Sequence, residues 1–164
     1  MAMDSKGIKE KESMRDVTPW CRISIDREGR WFYDGQEIVN PGVLQAFHQV
    51  LERCGDGRYR IVLNQEICYV EVEDTPFVVL SVRGDKTQGF TLILNSGHVH
   101  ALDPATLCIG KDNIMYARLA NGMPVRLSRP AYYILATAME EDPDGKIFLQ
   151  VGQQRYPIPT QPQP

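Results

Sequence analysis

Short apolar runs alternate with turn dipeptides along most of the chain. The runs are rich in β-branched and aromatic residues, as in Tyr59 to Leu63, Phe77 to Val82 and Ile147 to Val151. Between them lie Asp-Gly and Asn-Gly pairs, which supply the positive φ angles that tight hairpin turns require. This pattern predicts a strand-rich chain in which most neighbouring strands are antiparallel.

Two segments instead show helical spacing of apolar residues. Asn40-Pro41 provides a capping side chain followed by proline at the first helical position, and the apolar spacing predicts a helix that continues to Gly55. Arg129-Pro130 opens the second segment, which is predicted to run to Asp142-Pro143. We therefore expect two main helices among the strands, an α+β fold.

The two predicted helices lie in similar surroundings. The helix proline precedes a turn glycine by 16 residues in one case (41 to 57) and by 15 in the other (130 to 145). A further turn follows each glycine after 7 residues, at positions 64 and 152. This spacing predicts an internal repeat of two related ββαββ-type units, with about 40 residues around Pro41 and around Pro130 sharing one strand–helix–strand order.

The same pattern divides the chain into four parts. Residues 1–17 mix charges without a sustained period and are expected to be a disordered tail. Residues 18–83 and 84–159 form the predicted N-terminal and C-terminal α+β units. Residues 160–164 are a proline-rich tail, because proline removes backbone donors and favours extended, solvated chain.

Composition excludes several classes of protein. The chain has 164 residues, with 18 basic and 21 acidic side chains, a net charge of −3 and a pI of about 5.6. This balance and the lack of a basic stripe argue against a nucleic-acid partner. No apolar run approaches the ~18 residues of a spanning helix, so we expect a cytoplasmic protein with no membrane contact.

The four cysteines are widely spaced and lack a CxxC motif. Cys68 and Cys108 sit within apolar runs, where a thiol behaves as a small hydrophobe. Because the chain is not a short, cysteine-dense scaffold, free thiols are favoured over disulfides, and zinc ligation is favoured less than either.

Evidence for catalysis or metal binding is weak. His98 and His100, here called the histidine pair, lie two apart on a predicted strand and could share one face. The favoured interpretation is a pair of polar residues on the solvated face of a hairpin, so we predict no metal and no cofactor. Glu71, Glu73 and Asp74 could perturb one another's pKa, but no nucleophile accompanies them. No catalytic residues are assigned.

An anion site is the most specific chemical prediction. Arg126, Ser128 and Arg129 precede the second helix, whose free N–H groups attract anions. A small anionic ligand held there could stack on Tyr132 or Trp31. The alternative is that Ser128 caps the helix, the arginines are solvated and Trp31 packs inward.

Three segments carry a family resemblance. They are ISIDREGRWFYDGQEI at 23–38, VEVEDTPF at 70–77 and RLSRPAYY at 126–133. Together they resemble the uncharacterised bacterial family known as domain of unknown function 1285, over about residues 18 to 158. The resemblance implies an α+β protein of two related units with a ligand-binding or signalling role and no established reaction.

We therefore predict a non-catalytic ligand-binding or signalling module. The alternatives are a scaffold or oligomerisation protein, including a homodimer, and a metal-dependent hydrolase using the histidine pair.

Overall fold

The computed structural model describes residues 18–160, in which two α-helices and fifteen strands are formed. The predicted α+β class is confirmed. The predicted tail 1–17 lies outside the described residues, as does the predicted tail 160–164 apart from Thr160. Within the described part, one unit comprises residues 18–24 and 31–72, and the other comprises residues 25–30 and 73–160.

The first unit contains six strands and one helix. They are β1 (Trp20–Ile25), β2 (Trp31–Tyr33), β3 (Gln36–Glu37), α1 (Pro41–Val50), β4 (Leu51–Arg53), β5 (Tyr59–Leu63) and β6 (Glu66–Val72). The strands form one sheet in the order β3-β2-β1-β6-β5-β4. The first and last strands therefore lie side by side in its centre, and α1 connects its two edges.

Helix α1 begins as predicted but ends earlier. Asn40 accepts hydrogen bonds from the backbone N–H groups of Gly42 (2.9 Å) and Val43 (3.2 Å), which satisfies two donors of the first turn. The predicted end at Gly55 is wrong, because Leu51 turns to an extended conformation and pairs with Ile61 across β4 and β5. Edge-strand pairing replaces the last helical turn.

Trp31 lies in the core of this unit. Its side chain is only 1% exposed, and its ring stacks on His48 at 4.9 Å and on Phe47 at 6.0 Å between centroids. The inward packing considered from the sequence is therefore the arrangement observed, and α1 is held against the sheet through this aromatic contact.

The second unit contains a six-stranded sheet, a helix and a smaller sheet. Its elements are β7 (Phe77–Asp85), β8 (Gly89–Leu94), β9 (Val99–Ala101), β10 (Cys108–Ile109), β11 (Met115–Arg118), β12 (Pro124–Leu127), α2 (Arg129–Ala136), β13 (Met139–Glu141), β14 (Ile147–Val151) and β15 (Gln154–Pro157). Short 3₁₀ turns occupy Pro104–Thr106 and Lys111–Asn113. The boundary predicted after residue 83 falls within β7.

The large sheet of the second unit has the order β10-β11-β12-β7-β8-β9. The pair β12–β7 is parallel, and the remaining pairs are antiparallel. Strands β13, β14 and β15 form a separate antiparallel sheet. Helix α2 thus follows the last strand of one sheet and precedes the first strand of another.

The two six-stranded sheets share one strand order. When β7 to β12 are renumbered from one to six, both sheets have the order three, two, one, six, five, four. In this correspondence the connection containing α1 matches the one containing the Pro104–Thr106 turn, not the one containing α2. The predicted correspondence between the two helices must therefore be corrected. Each helix follows a hairpin and precedes three strands, but the hairpin and the three strands belong to one sheet only in the case of α1.

Candidate functional site

A cavity of about 330 Å³ lies in the second unit, beside the start of α2. The neighbouring structures are β11, β12 and the 3₁₀ turn at Lys111–Asn113. Its polar and aromatic lining consists of Asp112, Asn113, Arg126, Arg129, Tyr132 and Tyr133. Three of the five predicted site residues therefore meet at one concavity.

Arg126 is held in place by backbone pairing and by its own side chain. Its backbone N–H donates to Thr75 Oγ1 at 3.2 Å, and its Nη1 donates to the carbonyl oxygen of Arg27 at 2.9 Å. The side chain is half-buried. One edge of the guanidinium is thus bound to protein, and the group is oriented before any ligand arrives.

Ser128 and Arg129 play different parts at the start of α2. Ser128 Oγ accepts the N–H of Ala131 at 3.4 Å and donates to the carbonyl oxygen of Leu80 at 3.3 Å, so its hydroxyl is used as a helix cap. Ser128 does not line the cavity, whereas the exposed Arg129 does. Among residues 18–160, Arg129 has no hydrogen-bond or ion-pair partner.

Tyr132 connects the helix to the 3₁₀ turn. Its hydroxyl lies 3.4 Å from Asn113 Oδ1, and its ring meets that of Tyr133 edge-on at 6.4 Å. Trp31, the other predicted stacking partner, is buried in the first unit and does not line this cavity. Aromatic stacking at the cavity is therefore offered by the two tyrosines.

The sequence analysis missed Asp112 and Asn113. Both adopt left-handed backbone conformations, with φ of 59° and 57°. Asp and Asn tolerate this region better than other non-glycine residues, so the Asp-Asn pair was the available indication of a tight turn here.

Two of the three neighbouring carboxylates Glu71, Glu73 and Asp74 accept hydrogen bonds within the second unit. The Asp74 carboxylate accepts the hydroxyl of the buried Tyr116 at 2.8 and 3.1 Å. Glu73 accepts the backbone N–H of Arg27 at 3.2 Å. These contacts fasten the segment that leads from β6 into β7 and account for two of the three carboxylates without catalysis.

The histidine pair lies at β9. His98 Nδ1 is 2.9 Å from Ser96 Oγ, and both histidines are half-exposed. Within the described residues, no group of three or more His, Cys, Asp or Glu side chains is placed to hold a metal ion.

Residues 15–75 match the family model described as the N-terminal domain of the domain of unknown function DUF1285. Over this segment the chain is similar to the DUF1285 N-terminal domain. The family resemblance predicted from the sequence is thereby confirmed.

Solved structures of DUF1285 proteins share the fold. The chain is 23% identical to a DUF1285 family protein from Silicibacter pomeroyi DSS-3, with a TM-score of 0.73 over 85% of this chain and 80% of that one. It is 24% identical to a DUF1285 family protein from Shewanella baltica OS155, with a TM-score of 0.61 over 70% of this chain and 90% of that one. No curated protein matches the chain. No helix within residues 18–160 has the length and apolar character needed to cross a membrane.

Cysteine pairing in the first unit differs from the prediction. Cys21 on β1 and Cys68 on β6 form a disulfide, with their Cα atoms 5.1 Å apart. The expectation of free thiols is wrong for this pair, because the two central strands bring distant positions side by side. Cys54 and Cys108 are free, and burial raises the pKa of the Cys108 thiol.

Proposed function

We propose that the chain is a non-catalytic ligand-binding or signalling module that takes a small anionic ligand in the cavity beside α2. The observation that supports this proposal is the meeting of Arg126 and Arg129 with Tyr132 at one concavity. The two guanidinium groups come from adjacent elements, so they can approach an anion from two directions.

The local charge favours an anionic ligand. Arg126 and Arg129 contribute two positive charges and Asp112 one negative charge, a sum of +1 for the charged side chains of the lining. The start of α2 adds the partial positive charge of a helix N-terminus. Since Ser128 already caps the N–H of Ala131, the arginine side chains are the main donors on offer.

The size of the cavity limits the ligand. A volume of about 330 Å³ lies at the lower end of the range for ligand pockets, roughly 300–1,000 Å³. The tyrosine rings offer an apolar contact, and Arg126 is already oriented. A compact anion fits these features better than an extended chain or a polymer.

Native mass spectrometry followed by calorimetry tests the proposal. Freshly purified full-length protein is first examined for a retained small molecule, and citrate is then titrated as a compact polyanion. Replacement Arg129→Ala is expected to weaken citrate binding about tenfold or more, as for loss of a charge-assisted hydrogen bond.

Arg83→Ala is the matched control, because Arg83 is exposed on β7 and does not line the cavity. Equal citrate affinity in the two variants would overturn the proposed site. A stable dimer that retains no small molecule would favour the scaffold alternative.

We also infer that the two six-stranded sheets are copies of one ancestral unit, supported by their common strand order. Helix α2 follows the sixth strand of the second sheet and so lies outside the repeated portion. The proposed site therefore depends on an addition to the second copy, which explains why the two halves of the chain need not bind the same ligand.

A further inference from the structure

A second cavity, of about 530 Å³, lies in the first unit and is lined by arginines. The hairpin loop between β4 and β5 forms its rim, and β6 contributes its apolar side. The lining includes Arg53, Arg58, Arg60, Asp56, Tyr69 and Ile67. The family description assigns no role to this cluster, and the predicted site does not include it.

Two of the arginines are fixed by carboxylates. Arg58 contacts Asp56 Oδ2 through Nε (2.8 Å) and Nη2 (2.6 Å). Arg60 contacts Glu52 Oε2 through Nε and Nη2, both at 3.0 Å. In each case the same edge of the guanidinium is occupied, which leaves Nη1 without a partner among the described residues.

Aromatic stacking adds a second restraint. The Arg58 guanidinium lies 4.1 Å from the centroid of the Tyr69 ring, and Tyr69 lies opposite Arg60 in the pairing of β5 with β6. Side chains opposite each other in a strand pair share one face of the sheet. Arg58, Arg60 and Tyr69 are therefore arranged on one face before a ligand binds.

Arg53 carries a positive charge that no carboxylate of the described residues balances. Within residues 18–160 it has no hydrogen-bond or ion-pair partner, and it is exposed. The lining holds three arginines and one aspartate, and Glu52 outside the lining balances Arg60, so one positive charge remains. Arg53 is the residue whose side chain a bound anion would most directly satisfy.

We propose that this cavity binds the phosphoryl group of a small organic phosphate. Guanidinium groups from β4, the β4–β5 loop and β5 can reach a tetrahedral oxyanion from separate directions. The volume exceeds that of a phosphate ion alone, and the exposed side chain of Ile67 provides an apolar surface for the organic part.

Cys54 serves as a local reporter. Its free thiol lines the cavity and is half-buried, whereas the other free thiol, Cys108, is buried in the second unit. Binding of phenyl phosphate is expected to slow alkylation of Cys54 by iodoacetamide, followed by mass mapping of the peptides, without changing the slow alkylation of Cys108. Inorganic phosphate is expected to protect less well because it lacks the aromatic body.

The variant Arg53→Ala is expected to raise the phenyl phosphate concentration needed for half-protection about tenfold or more. Arg22→Ala is the control, because Arg22 is an exposed arginine of the same unit outside the cavity. Unchanged Cys54 alkylation at saturating phenyl phosphate would overturn the proposal. Equal protection by benzoate would overturn the assignment to phosphate. Arg129→Ala is expected to leave the protection of Cys54 unchanged. A failure of the proposed site beside α2 can therefore be distinguished from a failure of this second site.

Discussion

Removal of the Cys21–Cys68 disulfide should cost the protein a measurable share of its stability. The bridge joins positions 47 residues apart, which lie on the two central strands of the first sheet. In the chain-entropy description, closing a loop of this length in the unfolded state contributes about 4 kcal/mol at 25 °C. For a chain of this size, each kcal/mol corresponds to roughly 2–4 °C in melting temperature, so the expected loss is up to about 8–16 °C.

The experiment compares the double variant Cys21→Ser/Cys68→Ser with the single variant Cys54→Ser in thermal denaturation. Only the double variant should melt earlier, and a reducing agent should lower the melting temperature of Cys54→Ser but not of the double variant. Thiol titration of the unfolded, unreduced wild-type protein should find two free thiols, from four cysteines less the bridged pair. Four titratable thiols, or equal melting of the two variants, would refute the reasoning.

Three further predictions follow from single contacts. At pH 9 the Cys108 thiol should be alkylated more slowly than Cys54, because burial raises its pKa and keeps it protonated; equal rates by intact mass would contradict this. Tyr116→Phe removes the hydroxyl bound to a carboxylate and should lower the free energy of unfolding in urea by about 1.5–3 kcal/mol, whereas an unchanged midpoint would show the bond to be unimportant. A chelator should leave the melting temperature unchanged, since the histidine pair is predicted to hold no metal, and a fall of several degrees would reverse that prediction.

The strand-rich α+β class and both helix starts could be predicted because their causes are local. Asn40 and Ser128 cap their helices within three residues. The helix ends could not be predicted in the same way, because a three-residue edge strand follows each helix, directly after α1 and after two residues in the case of α2. Leu51 pairs with Ile61, and Met139 pairs with Leu149. A strand this short shows no period of its own, and its partner lies beyond the next turn.

The candidate site was predictable in part for the same reason. Arg126, Arg129 and Tyr132 come together because the helix start follows β12 directly. Trp31 could be excluded only when its packing against α1 was known. The Cys21–Cys68 pairing likewise depends on β1 lying beside β6, and sequence spacing carries no information about that adjacency.

The predicted cytoplasmic location implies a reducing compartment, whereas a structural disulfide implies an oxidising one. Reducing cytosol keeps most thiols unpaired, while a structural disulfide persists in oxidising surroundings. Alkylation of thiols in intact cells before lysis decides between them, because a bridged pair is protected from the reagent and a reduced pair is not.

The short connection between β9 and β10 dictates the curvature of its sheet. These strands are the two edges, and five spacings of about 4.8 Å would separate them by about 24 Å if the sheet were flat. Residues 102–107 make the link, and three of them form a 3₁₀ turn, which rises only about 2 Å per residue, so the link reaches about 20 Å at most. The sheet must therefore roll until its edges approach, as in a half-closed barrel. Rolling alone leaves the backbone groups of both edges unpaired. At β10, however, the N–H of Ile109 donates to the carbonyl oxygen of Pro159, so this edge offers fewer free backbone groups to another strand.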